Sequence, residues 1–297
     1  MSEIISVRIA AIIATLGRRE AAQDLVGDLR AQTRLPDRTI FAVTTPDDAP
    51  DRDPLLANET LICDRKGSCV QRNLAIDIAA DDCDILVFFD DDFIPDQHYL
   101  ERLEEAFEDG PDIVGVTGLV VADGVSGAGI GRGEALQAIH RHAQAYPDGD
   151  PGRAQLFGLY GCNMAIRTSA LCQRRFDEKL PLYGWLEDLD LTNQLMQEGR
   201  LVRINRLVGA HRGIKAGRTS GVRLGYSQVA NPIYLIRKGT APKRHMYENI
   251  FKYVAVNLLK SVRPEPFVDR RGRLRGNLVG LLDILRGKSS PERILDL

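Results

Sequence analysis

Apolar positions along the chain fall into short dense runs separated by amphipathic stretches. Residues 7–15 (VRIAAIIAT) are apolar without helical polar spacing, which predicts a strand buried on both faces. Residues 20–32 bring Ala22, Leu25, Val26 and Leu29 to one side at helical intervals. TIFAVT at 39–44 predicts a second strand, closed by the turn-rich TPDDAPDRDP, and Leu61 with Ile62 a short third. Residues 68–80 read as a helix with Val70, Leu74, Ala75 and Ile78 inward. The densest run, DILVFF at 84–89, predicts a strand and is broken abruptly by three aspartates. A helix over 97–107 and a strand over 113–121 (IVGVTGLVV) follow. Such alternation implies a mostly parallel sheet with helices on both faces. Ligands bind such sheets outside the carboxyl ends of the strands, so the acidic cluster after Phe89 falls where a site is expected.

Residues 123–153, rich in Gly, Asp and Pro, read as an insertion or mobile loop carrying a helix over 134–145. A strand-like stretch over 159–167 and a further piece over 177–185 precede a helix from about 186 to 198, closed by Gly199. Beyond Thr219 the chain is basic and more helical, with 247–260 and 278–285 placing apolar residues on one face.

Composition sets limits. At 297 residues and 44% hydrophobic content the chain suffices for one large domain or for one domain plus an appendage, and the division is expected at 1–220 and 221–297. Residues 1–8 lack the basic start and apolar core of a leader peptide, and no apolar run reaches the roughly 18–20 residues of a spanning helix. Five cysteines without a CxxC pair point to reduced thiols and a cytoplasmic setting. The net charge of −2 hides an asymmetry: residues 1–199 hold 18 Lys and Arg against 35 Asp and Glu, whereas 200–275 hold 18 against 3. The basic stretch either faces something anionic, such as a diphosphate or a membrane surface, or neutralises the acidic part.

Asp90-Asp91-Asp92 carries the strongest chemical signal. Adjacent carboxylates repel, so a strand end that holds three of them calls for a cationic partner, unless the loop is simply solvated. Mg²⁺ or Mn²⁺ fits, since such ions take one or two carboxylates together with substrate phosphates. The second cluster is Trp185-Leu186-Glu187-Asp188-Leu189-Asp190-Leu191. On a helix Glu187 and Asp188 point about 100° apart, so one of them can enter a cleft as a general base. The plainer reading is acids placed near the positive end of a helix. His211, after a short strand-like 207–210, is either a metal ligand or an ordinary histidine.

In order and spacing, these segments resemble the family 2 glycosyltransferases over residues 7–212, about two-thirds of the chain. Thr15 and Arg18 look like the family's first nucleotide-contacting turn. Lys66-Gly67-Ser68 with Gln71-Arg72-Asn73 is similar to its G-S-x-x-x-R-N segment. VFFDDDFIP matches its DxD element through Asp90 and Asp92. Gly161 to Ala165 with Arg167 looks like its acceptor-side strand, and Phe176-Asp177-Glu178 with 185–191 resembles its FDE…GWxEDxDL stretch. Where the family ends its second strand in base-binding aspartates this chain has Thr44-Thr45-Pro46, with Asp47 and Asp48 just beyond.

The resemblance implies a GT-A fold: a Rossmann-like nucleotide-binding half, an acceptor half, and here a helical C-terminal extension. It implies inverting transfer from a nucleotide-diphospho-sugar, taken as UDP-linked with GDP and dTDP open, to a carbohydrate or lipid-linked acceptor of bacterial polysaccharide or glycolipid synthesis. Asp188, beside Glu187, is then the base. Asp92 and His211 hold Mg²⁺ or Mn²⁺, and Thr15, Arg18, Lys66, Gly67, Arg72, Asn73, Asp90 and Asp91 line the donor. No nucleic-acid partner is implied. Arg270, Arg271, Arg273 and Arg275 suit a peripheral contact with anionic lipid on the inner membrane face, a cap on the main domain, or a homo-oligomer contact.

Three rivals are weaker. A haloacid-dehalogenase-type phosphohydrolase wants Thr or Val where Ile94 stands, and a sugar nucleotidyltransferase wants a Gly-rich loop that TLGRRE does not supply. A silent nucleotide-sugar-binding module has no need of Asp90, Asp92, Glu187 and Asp188 together.

Overall fold

The computed structural model describes residues 7–217 and 219–297. The first six residues, read above as the start of a chain without a leader, lie outside that range. In chain order the elements are β1 (Ile9–Ala14), α1 (Arg19–Arg30), β2 (Arg38–Val43), β3 (Asn58–Ile62), α2 (Ser68–Ala79), β4 (Ile85–Asp90), β5 (Phe93–Pro95), α3 (Tyr99–Asp109) and β6 (Ile113–Asp123). Next come α4 (Arg132–Ala145), β7 (Arg153–Gln155), β8 (Asn163–Arg167), α5 (Thr168–Leu171), α6 (Glu187–Leu195), β9 (Arg200–His211), α7 (Gly221–Lys238), α8 (Lys243–Lys260) and α9 (Arg270–Leu285).

One sheet runs β3-β2-β1-β4-β8-β6-β9-β5, with β7 also on β9. β3 to β4 are parallel, β8 lies antiparallel between β4 and β6, and β6 and β9 are parallel again. The apolar runs follow from coverage of both faces. Ile9, Ala11, Ile13, Val87 and Phe89 pack with Leu25 and Leu29 of α1 and Leu103 of α3. The alternate residues Ala10, Ile12, Leu86 and Phe88 pack with Ala75 and Ile76 of α2 and Leu191 of α6. This two-sided burial leaves the strand ends as the place for polar chemistry.

Several sequence expectations change. In α2 the buried residues include Gln71, Arg72 and Asn73, while Val70, Leu74 and Ile78 are only partly covered. Polar side chains face inward because each finds a fixed partner, as described below. Residues 177–185 form turns, with Leu182 and Leu186 at φ of 60° and 75°. α4 belongs to the packed body: Ala135 and Ile139 bury against Ile94, Val208 and Ala210. β9 spans twelve residues where the sequence suggested four, because Arg203 and Arg206 interrupt its apolar pattern.

α7 lies in the stretch read as mainly helical, although Gly225 and Pro232 disfavour a helix interior. Tertiary packing overrides that preference. A Cβ on Gly225 would lie 2.0 Å from Arg273 O, and one on Gly276 2.0 Å from Val222 O, so only glycines let α7 and α9 approach this closely. Buried amides join the helices: Asn257 Nδ2 donates to Gln228 Oε1 (2.9 Å) and Asn277 Oδ1 (2.8 Å). Arg270 donates to Asn257 Oδ1 at 3.1 Å. Leu235 of α7 reaches the core beneath α2, and Asn231 Nδ2 donates to Trp185 O at 2.7 Å.

Candidate active site

The three aspartates sit at the end of β4, and pairing of β5 with β9 places Phe93 opposite His211. That register draws the imidazole onto the acidic turn. Nε2 lies 3.2 Å from Asp92 Oδ1 and 3.6 Å from Asp90 Oδ2. One ligand atom from each of Asp90, Asp92 and His211 falls within 4.8 Å of the others. Asp92 Oδ2 accepts from Ile214 N at 2.6 Å, while Oδ1 is buried without a hydrogen bond of good geometry. Burial opposes the Asp92 charge, but His211 beside it and the Arg18 charge bring its pKa down to about 2.

The far ring nitrogen, Nδ1, lies 3.3 Å from Asp123 Oδ1 at the end of β6, and Tyr160 OH donates to Asp123 Oδ2 at 2.9 Å. Burial works against a charged imidazole, yet the neighbouring carboxylates of Asp123 and Asp92 push the His211 pKa well up. Two carboxylates and an imidazole, one oxygen lacking a hydrogen bond, and a carboxylate behind the ring form a donor set that fits a divalent cation.

Asp91 points elsewhere. It is 4% exposed and accepts from Thr15 Oγ1 (2.6 Å) and Arg18 (2.9 Å). Burial raises its pKa to about 6, against the pull of Arg18. Arg18 also donates to Ile214 O and Ala216 O, which ties the acidic turn to the segment after β9.

On the other side of Arg72, Leu186 in the left-handed region opens α6. A non-glycine residue held there stores about 1–3 kcal/mol of strain, a feature that clusters at functional sites. It sets Glu187 and Asp188 in the first helical turn. Asp188 Oδ2 accepts from Gly161 N at 3.0 Å, and a Cβ on Gly161 would lie 3.0 Å from that same oxygen. Burial raises the Asp188 pKa, although N–H groups of Leu189 and Gly161 work against the rise. Glu187 is pushed up to about 8, first by burial and then by the Asp188 charge.

Arg72 of α2 joins the two acid groups. Buried at 4% exposure, it donates to Glu187 Oε1 (2.7 Å), Asp90 Oδ1 (3.1 Å) and Gly161 O (3.3 Å), and its guanidinium lies 5.3 Å from the Phe176 ring centroid. Its neighbours in the motif hold backbone. Asn73 clamps Phe176 through both its O and N–H, and Gln71 donates to Thr15 O and Ala42 O. Gly67 precedes α2 and bridges to Leu182, and Lys66 is exposed.

The structure thus brings Asp90, Asp92, His211, Arg72, Glu187 and Asp188 together through one network of contacts. It sets Thr15, Arg18 and Asp91 in a buried cluster beside it and leaves Lys66 at the surface. Sequence reasoning missed Asp123 and Tyr160. Asp123 ends a strand on the ligand side and was legible on that ground; Tyr160 carried no signal. Asp48 accepts from Gly17 N at 2.7 Å and lies within hydrogen-bond reach of the Thr44 and Thr45 hydroxyls, so it braces the first turn.

A sheet of this order, with acidic residues at its strand ends, has the arrangement of a GT-A-type fold. The chain belongs to glycosyl transferase family 2, whose sequence model matches residues 11–179. Among curated proteins no sequence matches it. S. aureus TarS residues 1–349, solved with UDP-GlcNAc, superposes with a TM-score of 0.58 at 12% identity, covering 97% of this chain and 83% of that one. The mannosyltransferase PcManGT from Pyrobaculum calidifontis, solved with GDP-Man and Mn²⁺, gives 0.54 at 14% identity, covering 98% and 86%. Against the longer TarS structure (TM-score 0.54, 14% identity, 86% of this chain covered) the chain spans 44% of that chain's length. At these identities the likeness concerns the fold.

Proposed function

We propose that the chain is an inverting, metal-dependent glycosyltransferase whose base is Asp188 and whose donor is a nucleotide-diphospho-sugar. The observation that carries this reading is the convergence of Asp90, Asp92 and His211 within 4.8 Å, one guanidinium away from Glu187. Mg²⁺ or Mn²⁺ held by Asp92 and His211, with Asp90 beside them, supplies charge neutralisation for the departing diphosphate. Asp123 orients His211 from behind, with Tyr160 steadying Asp123. Arg72 keeps Asp90 and Glu187 in place, and the Thr15–Arg18–Asp91 cluster positions the acidic turn.

Asp188 takes the proton of the acceptor hydroxyl as that oxygen attacks the anomeric carbon from the face opposite the diphosphate. Gly161 leaves room for its carboxylate. The acceptor is a carbohydrate or lipid-linked saccharide, the donor base is taken as uracil, and residues 221–297 form a helical extension of the catalytic domain. The proposed setting is cytoplasmic.

Thermal stability with UDP, GDP, dTDP and CMP, each with and without Mn²⁺, tests the donor reading. A ligand at 100 times its Kd stabilises by roughly 2.7 kcal/mol. One diphosphate is expected to shift Tm only with metal, and Asp92→Asn to remove the metal dependence. Flat responses to every nucleotide would overturn the donor assignment. Gly161→Ala is expected to displace the Asp188 carboxylate, lowering kcat while the donor-induced shift stays; unchanged turnover would show the contact to be dispensable.

A further inference from the structure

α8 and α9 leave large apolar side chains in water. On α8, Met246, Ile250 and Asn257 face inward, and the residue after each, Tyr247, Phe251 and Leu258, is exposed, Phe251 by 76%. They form a stripe turned about 100° from the buried face, and Leu259, exposed by 75%, widens it. α9 carries Leu278, Leu282 and Leu285 on one exposed side, the last exposed by 83%. Exposed large apolar residues at helical spacing mark an interaction surface.

The charges around these stripes are mostly basic. Residues 243–288 hold eleven Lys and Arg against four Asp and Glu. The four acids are occupied: Glu248 pairs with Arg244, Glu265 with Lys260 and Arg270, Asp269 caps α9, and Asp283 accepts from Tyr226. At 100° per residue, Arg271, Arg275 and Arg286 fall on the same side of α9 as Leu278 and Leu282, and all three are exposed. Their long stems can lie along apolar surface while their heads reach a polar layer.

We propose that this outer face of α8 and α9 seats the protein on an anionic lipid bilayer. Among the described residues no helix is long and apolar enough to cross a membrane, so the contact lies in the plane of the interface. A second copy of the chain fits less well. Two-fold pairing brings the same patch onto itself and sets basic rim against basic rim, whereas anionic headgroups neutralise it. α8 also reaches the acidic segment: Tyr253 packs edge-on against Trp185, two residues before Glu187, with ring centroids 5.2 Å apart. That the acceptor is drawn from the same bilayer rests on the transferase reading; the lipid contact does not.

Full-length protein is pelleted with vesicles of phosphatidylcholine alone or with 30 mol% phosphatidylglycerol, at about 0.1 M and 0.5 M salt. Binding to the anionic vesicles, weakened by salt, is expected. Phe251→Ser with Leu259→Ser, and separately Arg271→Gln with Arg275→Gln, should each reduce it on the order of tenfold or more. Circular dichroism and the nucleotide-induced Tm shift confirm folding of both variants and keep this test separate from that of the transferase reading. Absent or salt-insensitive binding, or variants that bind like wild type, would overturn the proposal. So would a lipid-free dimer that the Phe251/Leu259 variant dissociates, which would assign the face to a second copy.

Discussion

Asp188→Asn is expected to lower kcat on the order of 10²–10⁴-fold, the range a positioned general base contributes, while donor affinity stays close to wild type. The amide keeps the size of the side chain and removes its basicity. Asp90, Asp92 and His211, which belong to the metal cluster, are untouched. Donor affinity by calorimetry and single-turnover transfer separate the two effects, and parallel loss of both would move Asp188 to the donor site. In the wild type, burial holds the Asp188 pKa above the ordinary aspartate value. The base must be ionised to accept a proton, so kcat should fall as pH drops through that raised pKa. The acid limb of the kcat profile is therefore expected at higher pH than an exposed aspartate would give.

Arg72→Met is expected to reduce stability by about 3–5 kcal/mol at pH 8.5, since it leaves buried carboxylates without their cation. The loss should be smaller at pH 5.5. Glu187 is raised from an ordinary 4.5 to about 8, first by burial and then by the Asp188 charge, with Arg72 opposing. Across that window the folded state keeps a proton that the unfolded state has released, so stability falls as pH rises through it. Removing Arg72 removes the group that offsets the charged form, which deepens the loss at high pH. Near pH 5.5 Glu187 is already neutral. Denaturant unfolding of both proteins at the two pH values measures this; equal losses would mean that Arg72 acts mainly by packing on Phe176.

Much of this was legible in the sequence because it rests on local chemistry. VRIAAIIAT and DILVFF could be read as two-sided strands since their burial is uninterrupted, and the aspartates after Phe89 stand at a strand end in any such fold. What stayed hidden depends on distant partners. Nothing near Arg72 in sequence announces a buried guanidinium, because Glu187 lies 115 residues away. Asp123 becomes relevant only once β6 and β9 are paired, and α7 forms against its own glycine and proline content because α9 covers it.

The amide network under α7, α8 and α9 bears on how uniquely those helices are set. Leucines alone would tolerate many relative rotations of three short helices, each nearly equal in energy. Asn257 and Asn277, fully buried, can satisfy their amides in few of them. Every other rotation strands a polar group away from water, which costs roughly 1–3 kcal/mol. The network therefore works as a lock on angle, and whatever meets the outer face of α8 and α9 meets it in one orientation relative to the acidic site.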